Sequence, residues 1–170
     1  MLNKVVLIGP PGAGKSSIGR ALAKELSMPF TDTDTEIEQI TKKKISEIFV
    51  DDGEPAFRKI EVEVVEKILS EFSGVIALGG GAPINMQIKN ILEKADFPII
   101  FIDDSISQAA NRIGFNKDKP LLLINPRQQW MNLMSERRPI YEHLATDVVS
   151  SDSHKPAEVA KIISEKLASK

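Results

Sequence analysis

Eight residues near the start of the chain carry the clearest chemistry. Gly9-Pro10-Pro11-Gly12-Ala13-Gly14-Lys15-Ser16 fits G-x-x-x-x-G-K-[ST] at every fixed position. Glycines in these places let the backbone curl so that successive N–H groups point at phosphate oxygens. A helix starting at the lysine adds the positive end of its dipole. Lys15 then offers a point charge to the β and γ oxygens, and the Ser16 hydroxyl is placed to ligate Mg²⁺. The residues expected to touch ATP here are Gly12, Ala13, Gly14, Lys15, Ser16 and Ser17. The loop does not say what becomes of the phosphate, since kinases, ATPases, GTPase switches and silent binding modules all use it.

Other positions bear on that choice. Thr31-Asp32-Thr33-Asp34 sets two carboxylates two residues apart. One suits magnesium held through water, the other the proton of a substrate hydroxyl. The same residues suit a helix N-cap before Glu36, and the two roles are compatible. Arg58 and Glu61 are three apart on one helical face, so Glu61 is able to hold the guanidinium with its fork toward a ligand carboxylate. Taken alone, such a pair more commonly means a surface ion pair. Gly79-Gly80-Gly81 costs backbone entropy and makes sense where a ligand must approach the main chain. Arg137-Arg138-Pro139 follows an expected helix over 128–136. These arginines either complement that helix's dipole or face an anionic substrate.

The elements that must position these residues alternate along the chain. Short apolar strands are expected at 4–8, 29–32, 75–78, 99–102 and 147–149, with helices at 16–26, 33–42, 45–50, 55–72, 85–94, 128–136 and 157–167. Ser105 is expected to cap a further helix leading to Arg112. This pattern gives an α/β fold with a mainly parallel sheet, whose ligands sit at the carboxyl ends of the strands. Gly9 to Ser16, Asp32 to Asp34, Gly79 to Gly81 and Asp103-Asp104 follow those ends.

Composition narrows the function classes. The 170 residues fit one domain and are 42% apolar and 27% charged, an ordinary globular balance. With 22 basic against 24 acidic residues, no basic field calls for nucleic acid or an anionic membrane. The absence of cysteine excludes disulfides, thiolate metal sites and a cysteine nucleophile. There is no apolar run near the roughly 18 residues of a membrane span, and no signal-peptide pattern. A cytoplasmic monomer is expected. No N-K-x-D-like guanine reader follows a strand, and the short chain favours a small-molecule kinase over a larger ATPase.

The ordered set of motifs resembles the shikimate kinase family, small phosphate-loop enzymes related to the nucleoside-monophosphate kinases. The resemblance runs through residues 9–20, Asp32-Thr33-Asp34, Phe57-Arg58 with Glu61, Gly79-Gly80-Gly81, Lys119-Pro120-Leu121-Leu122, and Arg137 with Pro139-Ile140-Tyr141. It implies a three-layer α/β/α kinase with a five-stranded parallel sheet. It also implies a single domain over 1–170, with a substrate-binding region at 33–62 and a mobile lid at 114–126. The implied activity is transfer of the ATP γ-phosphate to the 3-hydroxyl of shikimate. Lys15, Asp34 and Lys119 would be catalytic, and Ser16 with Asp32 (through water) would hold Mg²⁺. Arg58 and Arg137 would hold the acceptor carboxylate, with Gly79 to Gly81 against its ring and Phe49 and Phe57 as apolar walls. Arg112 and Pro156 would flank the adenine.

One departure stands out. The family's lid usually carries arginine before Pro-Leu-Leu, where this chain has Lys119, which keeps the charge but loses the planar fork; Lys117 is a possible substitute. Ile99 to Ile102 followed by Asp103 has the look of a metal-binding strand end. The family gives that role to the second strand, so Asp103 and Asp104 are read as loop carboxylates before the Ser105 cap. Trp130, with Met131, Leu133 and Met134, reads as packing, and His143 and His154 as surface residues. A kinase for another hydroxy acid, such as a sugar acid, and a non-catalytic ATP-binding module are the competing readings.

Overall fold

The computed structural model describes residues 1–105 and 126–170. Its order is β1 (Lys4–Ile8), α1 (Lys15–Leu26), β2 (Phe30–Asp32), α2 (Thr33–Thr41), α3 (Ile45–Asp51), α4 (Glu54–Glu71) and β3 (Gly74–Ala77). A 3₁₀ turn (Ala82–Ile84), α5 (Met86–Glu93), β4 (Ile99–Asp103), α6 (Pro126–Leu144), β5 (Asp147–Ser150) and α7 (Pro156–Ala168) follow. Lys117, Lys119, Arg112, the helix expected after Ser105 and nearly all of the expected lid at 114–126 lie outside the described residues.

The strands form one sheet in the order β2-β3-β1-β4-β5. Every neighbouring pair is parallel. Continuous apolar strands need cover on both faces. Val5, Leu7, Ile100 and Ile102 point to one side, where α1 and α7 supply Ile18, Leu22, Val159 and Ile163. Val6, Ile8, Ile76 and Phe101 point to the other, against Val65 and Leu69 of α4, Ile88 of α5 and the inner face of α6. A third cluster, Ile37, Ile48, Phe57 and Val64, seats α2 and α3 on α4 at one end of the sheet. Each fully buried aliphatic side chain contributes about 1.5–3 kcal/mol. The result is the three-layer α/β/α arrangement that the strand–helix alternation predicts.

Helix α6 departs from expectation. It does not stop at Glu136 but continues through Pro139 to Leu144. Its buried positions are Trp130, Met134, Arg137, Tyr141 and Leu144, a stripe of helical period that holds one face on the core throughout. Pro139 lies on the exposed face, so the carbonyl it fails to bond faces water. Arg137 and Arg138 are therefore mid-helix residues, and a dipole role at a helix end does not apply. One expected loop carboxylate also needs correction. Asp103 is the last residue of β4, and both its oxygens accept from Arg138 at 2.9 Å. Asp104 lies in the loop after β4, as expected, and is buried.

Candidate active site

The phosphate loop joins β1 to α1. Gly12 and Gly14 have φ of 84° and 88°, left-handed values that a side chain would strain. No side chain caps the first turn of α1, so its amide end is open toward the cleft. Lys15 Nζ donates to the carbonyls of Gly9 at 2.8 Å and Pro10 at 2.9 Å, which brings the ammonium over the loop. Gly12, Lys15 and Ser16 line one wall of a cleft of about 330 Å³ whose opposite wall is Asp32, Asp34 and Gly79.

Asp32 does two things at once. Its Oδ1 accepts from the backbone N–H groups of Asp34 (2.9 Å) and Thr35 (3.2 Å), capping α2. Its Oδ2 accepts from the Ser16 hydroxyl. The cap fixes the carboxylate, and the fixed carboxylate meets the hydroxyl across the cleft. Hydroxyl and carboxylate oxygens converging beside a phosphate loop suit a small, hard cation. No group of three or more His, Cys, Asp or Glu that could hold a metal gathers here or elsewhere among the described residues. A cation held here would therefore complete its shell with water and phosphate oxygens.

The acceptor end begins in the first turn of α2, at Asp34. A Cβ placed on Gly79 would sit 2.7 Å from Asp34 Oδ1 and 3.2 Å from Glu61 Oε2. One placed on Gly81 would sit 2.4 Å from a guanidinium nitrogen of Arg58. None of Gly79, Gly80 and Gly81 has a positive φ. The glycine run is needed here because Asp34, Glu61 and Arg58 pack directly on the backbone, a closer reason than the ligand contact expected from sequence. The Gly79 N–H donates to the buried Thr33 Oγ1 at 3.2 Å, tying the turn to the start of α2.

Arg58 and Glu61 are not a surface pair. Glu61 is 1% exposed, and Arg58 Nη1 donates to its Oε1 at 2.8 Å. Burial pushes the Glu61 carboxyl above the usual glutamate range, against the opposing pull of Arg58. Arg58 also lies over the Phe57 ring, 5.1 Å from its centroid, and Phe57 packs on Phe49 at 5.0 Å. Arg137 reaches the same region from α6. It is 9% exposed and forms no ion pair among the described residues. Pro156 opens α7 and is exposed, away from the residues lining the cleft. His143 and His154 are exposed and lie beside Glu93 and Glu158.

Sequence reasoning missed three contributors. Thr35 and Glu38 line the cleft, and Glu38 also accepts from the Ile45 N–H at 3.0 Å. Tyr141 is fully buried behind the glycine turn. Its signal was available: positions 130, 134, 137, 141 and 144 keep helical spacing across Pro139.

A phosphate grip, a cation-ready oxygen pair and the Arg58–Glu61 pair on the glycine turn are thus assembled, and the charge of Arg137 reaches Glu61. The family model described as "Shikimate kinase" matches residues 11–168. The chain belongs to the shikimate kinase family. It is 48% identical to the shikimate kinase of Thermobifida fusca over 162 residues, which is 95% of this chain and 93% of that one. It is 41% identical to that of Rhodococcus jostii over 99% of both. A solved structure of the Acinetobacter baumannii shikimate kinase in complex with shikimate aligns with a TM-score of 0.95 at 31% identity, covering 99% of this chain and 94% of the other. A deoxyadenosine kinase from M. mycoides shares the fold at a TM-score of 0.63 and 17% identity. Membership of the shikimate kinase family makes the chain an ATP-dependent phosphotransferase. No helix among the described residues is long and apolar enough to cross a membrane.

Proposed function

We propose that this chain transfers the γ-phosphoryl group of ATP to the 3-hydroxyl of shikimate, releasing ADP and shikimate 3-phosphate, by direct in-line displacement. The observation that carries the reading is one cleft with the phosphate loop at one wall, Asp34 opposite, and the Arg58–Glu61 pair packed on the same glycine turn. Two guanidiniums suit a compact carboxylic acid and not a nucleobase.

In this reading the amides of Gly12 to Ser17 grip the phosphates and Lys15 leaves its carbonyl partners for the β and γ oxygens. Ser16 and, through water, Asp32 would hold a magnesium ion, which would supply charge neutralisation on the phosphates. Asp34 orients the acceptor hydroxyl and takes its proton. Arg58 and Arg137 hold the acceptor carboxylate, with Phe49, Phe57 and Gly79 to Gly81 forming the pocket wall. Lys119 serves the transferring group as a point charge, Arg112 and Pro156 flank the adenine, and residues 114–126 close as a lid that excludes water. The enzyme works as a single-domain monomer in the cytoplasm.

The test is ADP release with and without shikimate. Release that depends on shikimate is expected, with little response to a panel of sugar acids. ATP binding without acceptor-dependent release would leave only a nucleotide-binding module. Arg58→Ala is expected to raise the acceptor KM about tenfold or more, because a charge-assisted contact is lost, while the ATP KM holds. An unchanged acceptor KM would remove Arg58 from the clamp.

The raised Glu61 pKa gives a pH signature. As pH falls through it, Glu61 takes a proton, loses its charge attraction for Arg58 and frees the fork. The acceptor KM should therefore climb on the acid side, beginning above the ordinary glutamate value of 4.5. Stability runs the other way. A carboxyl with a raised folded pKa contributes stability fully below its unfolded value, and that contribution is lost as pH rises through the folded one. In Glu61→Gln the acid limb of the KM profile should disappear, and a profile identical to the unsubstituted enzyme would exclude Glu61 as its source.

A further inference from the structure

Tyr141 is the largest fully buried side chain of the described residues and has no place in the mechanism above. Its ring packs on Phe101, with centroids 5.2 Å apart. Its hydroxyl donates to the Gly80 carbonyl at 2.6 Å. The neighbouring carbonyls of that turn are already taken by the chain itself: Gly79 by the Ala82 N–H at 3.1 Å and Gly81 by the Ile84 N–H at 3.2 Å. Only the Gly80 carbonyl is bonded by a residue of another element, and that element is the helix bearing Arg137. Arg137 lies one turn earlier on the same buried stripe.

We infer that the Tyr141 hydroxyl is a positioning group for the acceptor clamp, fixing the Arg137 guanidinium relative to the glycine turn on which Arg58 and Asp34 pack. This rests on the assignment of Arg137 to the acceptor carboxylate. The bond joins the two elements that carry the clamp, α6 and residues 79–81, at the point between the seats of Asp34 and Arg58. Burial raises the phenol pKa to about 12, so the group stays a donor throughout the working range. The charges of Arg137 and Arg58 both pull the phenol pKa down, against the larger upward push of burial. Without the hydroxyl, α6 keeps its apolar packing and its Arg138–Asp103 pair but loses its hydrogen bond to the glycine turn.

The experiment measures acceptor KM, ATP KM and thermal midpoint for Tyr141→Phe, Arg137→Ala, the double variant and Phe101→Leu. Tyr141→Phe removes one oxygen and is expected to raise the acceptor KM about tenfold, the ATP KM staying near its original value. In the Arg137→Ala background the same change should add almost nothing, because the hydroxyl acts through that arginine. Phe101→Leu disturbs the ring but spares the hydroxyl, so it should lower the thermal midpoint and leave acceptor KM alone. An unchanged acceptor KM in Tyr141→Phe, additive losses in the double variant, or an equal rise in Phe101→Leu would each overturn the inference. If Arg137→Ala itself leaves acceptor KM unchanged, the carboxylate assignment fails first and the positioning role falls with it.

Discussion

Asp34→Asn is expected to lower kcat by about 10²–10⁴-fold, the usual contribution of a positioned general base. The fold should survive, because the α2 cap is made by the Asp32 side chain and uses only the backbone N–H of residue 34. ATP binding should also survive, since the phosphate grip is built from 9–17 and the Ser16–Asp32 contact is untouched. The measurement is kcat with saturating ATP and shikimate, beside nucleotide affinity from direct titration. Turnover near the original rate would strip Asp34 of its role. A parallel loss of nucleotide affinity would mean that the substitution reached the metal oxygens instead.

Gly79→Ala should approach that loss without altering any ionisable group of the site. The added methyl would sit 2.7 Å from Asp34 Oδ1, inside contact distance, and crowd Glu61 Oε2 at 3.2 Å. Residue 79 has an ordinary backbone conformation, so alanine carries no φ strain and the thermal midpoint should fall only modestly. Asp34 must turn away instead. A displacement near 1 Å at a reacting group costs on the order of a hundredfold in rate, and that is the expected drop in kcat. A kcat unaffected by the methyl would mean that the carboxylate has room to relocate and still act.

The phosphate loop was readable because each of its fixed positions answers a local demand of the backbone or the phosphate. The parallel sheet was readable for a similar reason: strands such as 99–102 are apolar without alternation, which only a sheet covered on both faces explains. The Asp32–Asp34 pair was legible as a helix cap and as site carboxylates, roles read as compatible, and the structure gives Asp32 both cap and hydroxyl contact through its two oxygens. Arg58 and Glu61 gave their spacing but not their burial, because three residues on a helix face look alike in solvent and in the core. The glycine run pointed to a close approach, yet what approaches is this chain's own carboxylates and guanidinium, arriving from α2 and α4. The end of α6 misled for a specific reason. Pro139 is a helix breaker by local rule, whereas the buried stripe on the opposite face holds the helix together through it. Asp103 was misplaced with it, because its partner Arg138 is in range only if α6 continues.

Arg137 occupies a slot that its stripe otherwise fills with Trp130, Met134, Tyr141 and Leu144. A leucine there should make the empty molecule sturdier, since keeping a charged group in a buried slot is costly. If Arg137 holds the acceptor carboxylate as proposed, the bound acid supplies a counter-charge inside that stripe, and saturating acceptor should raise the thermal midpoint.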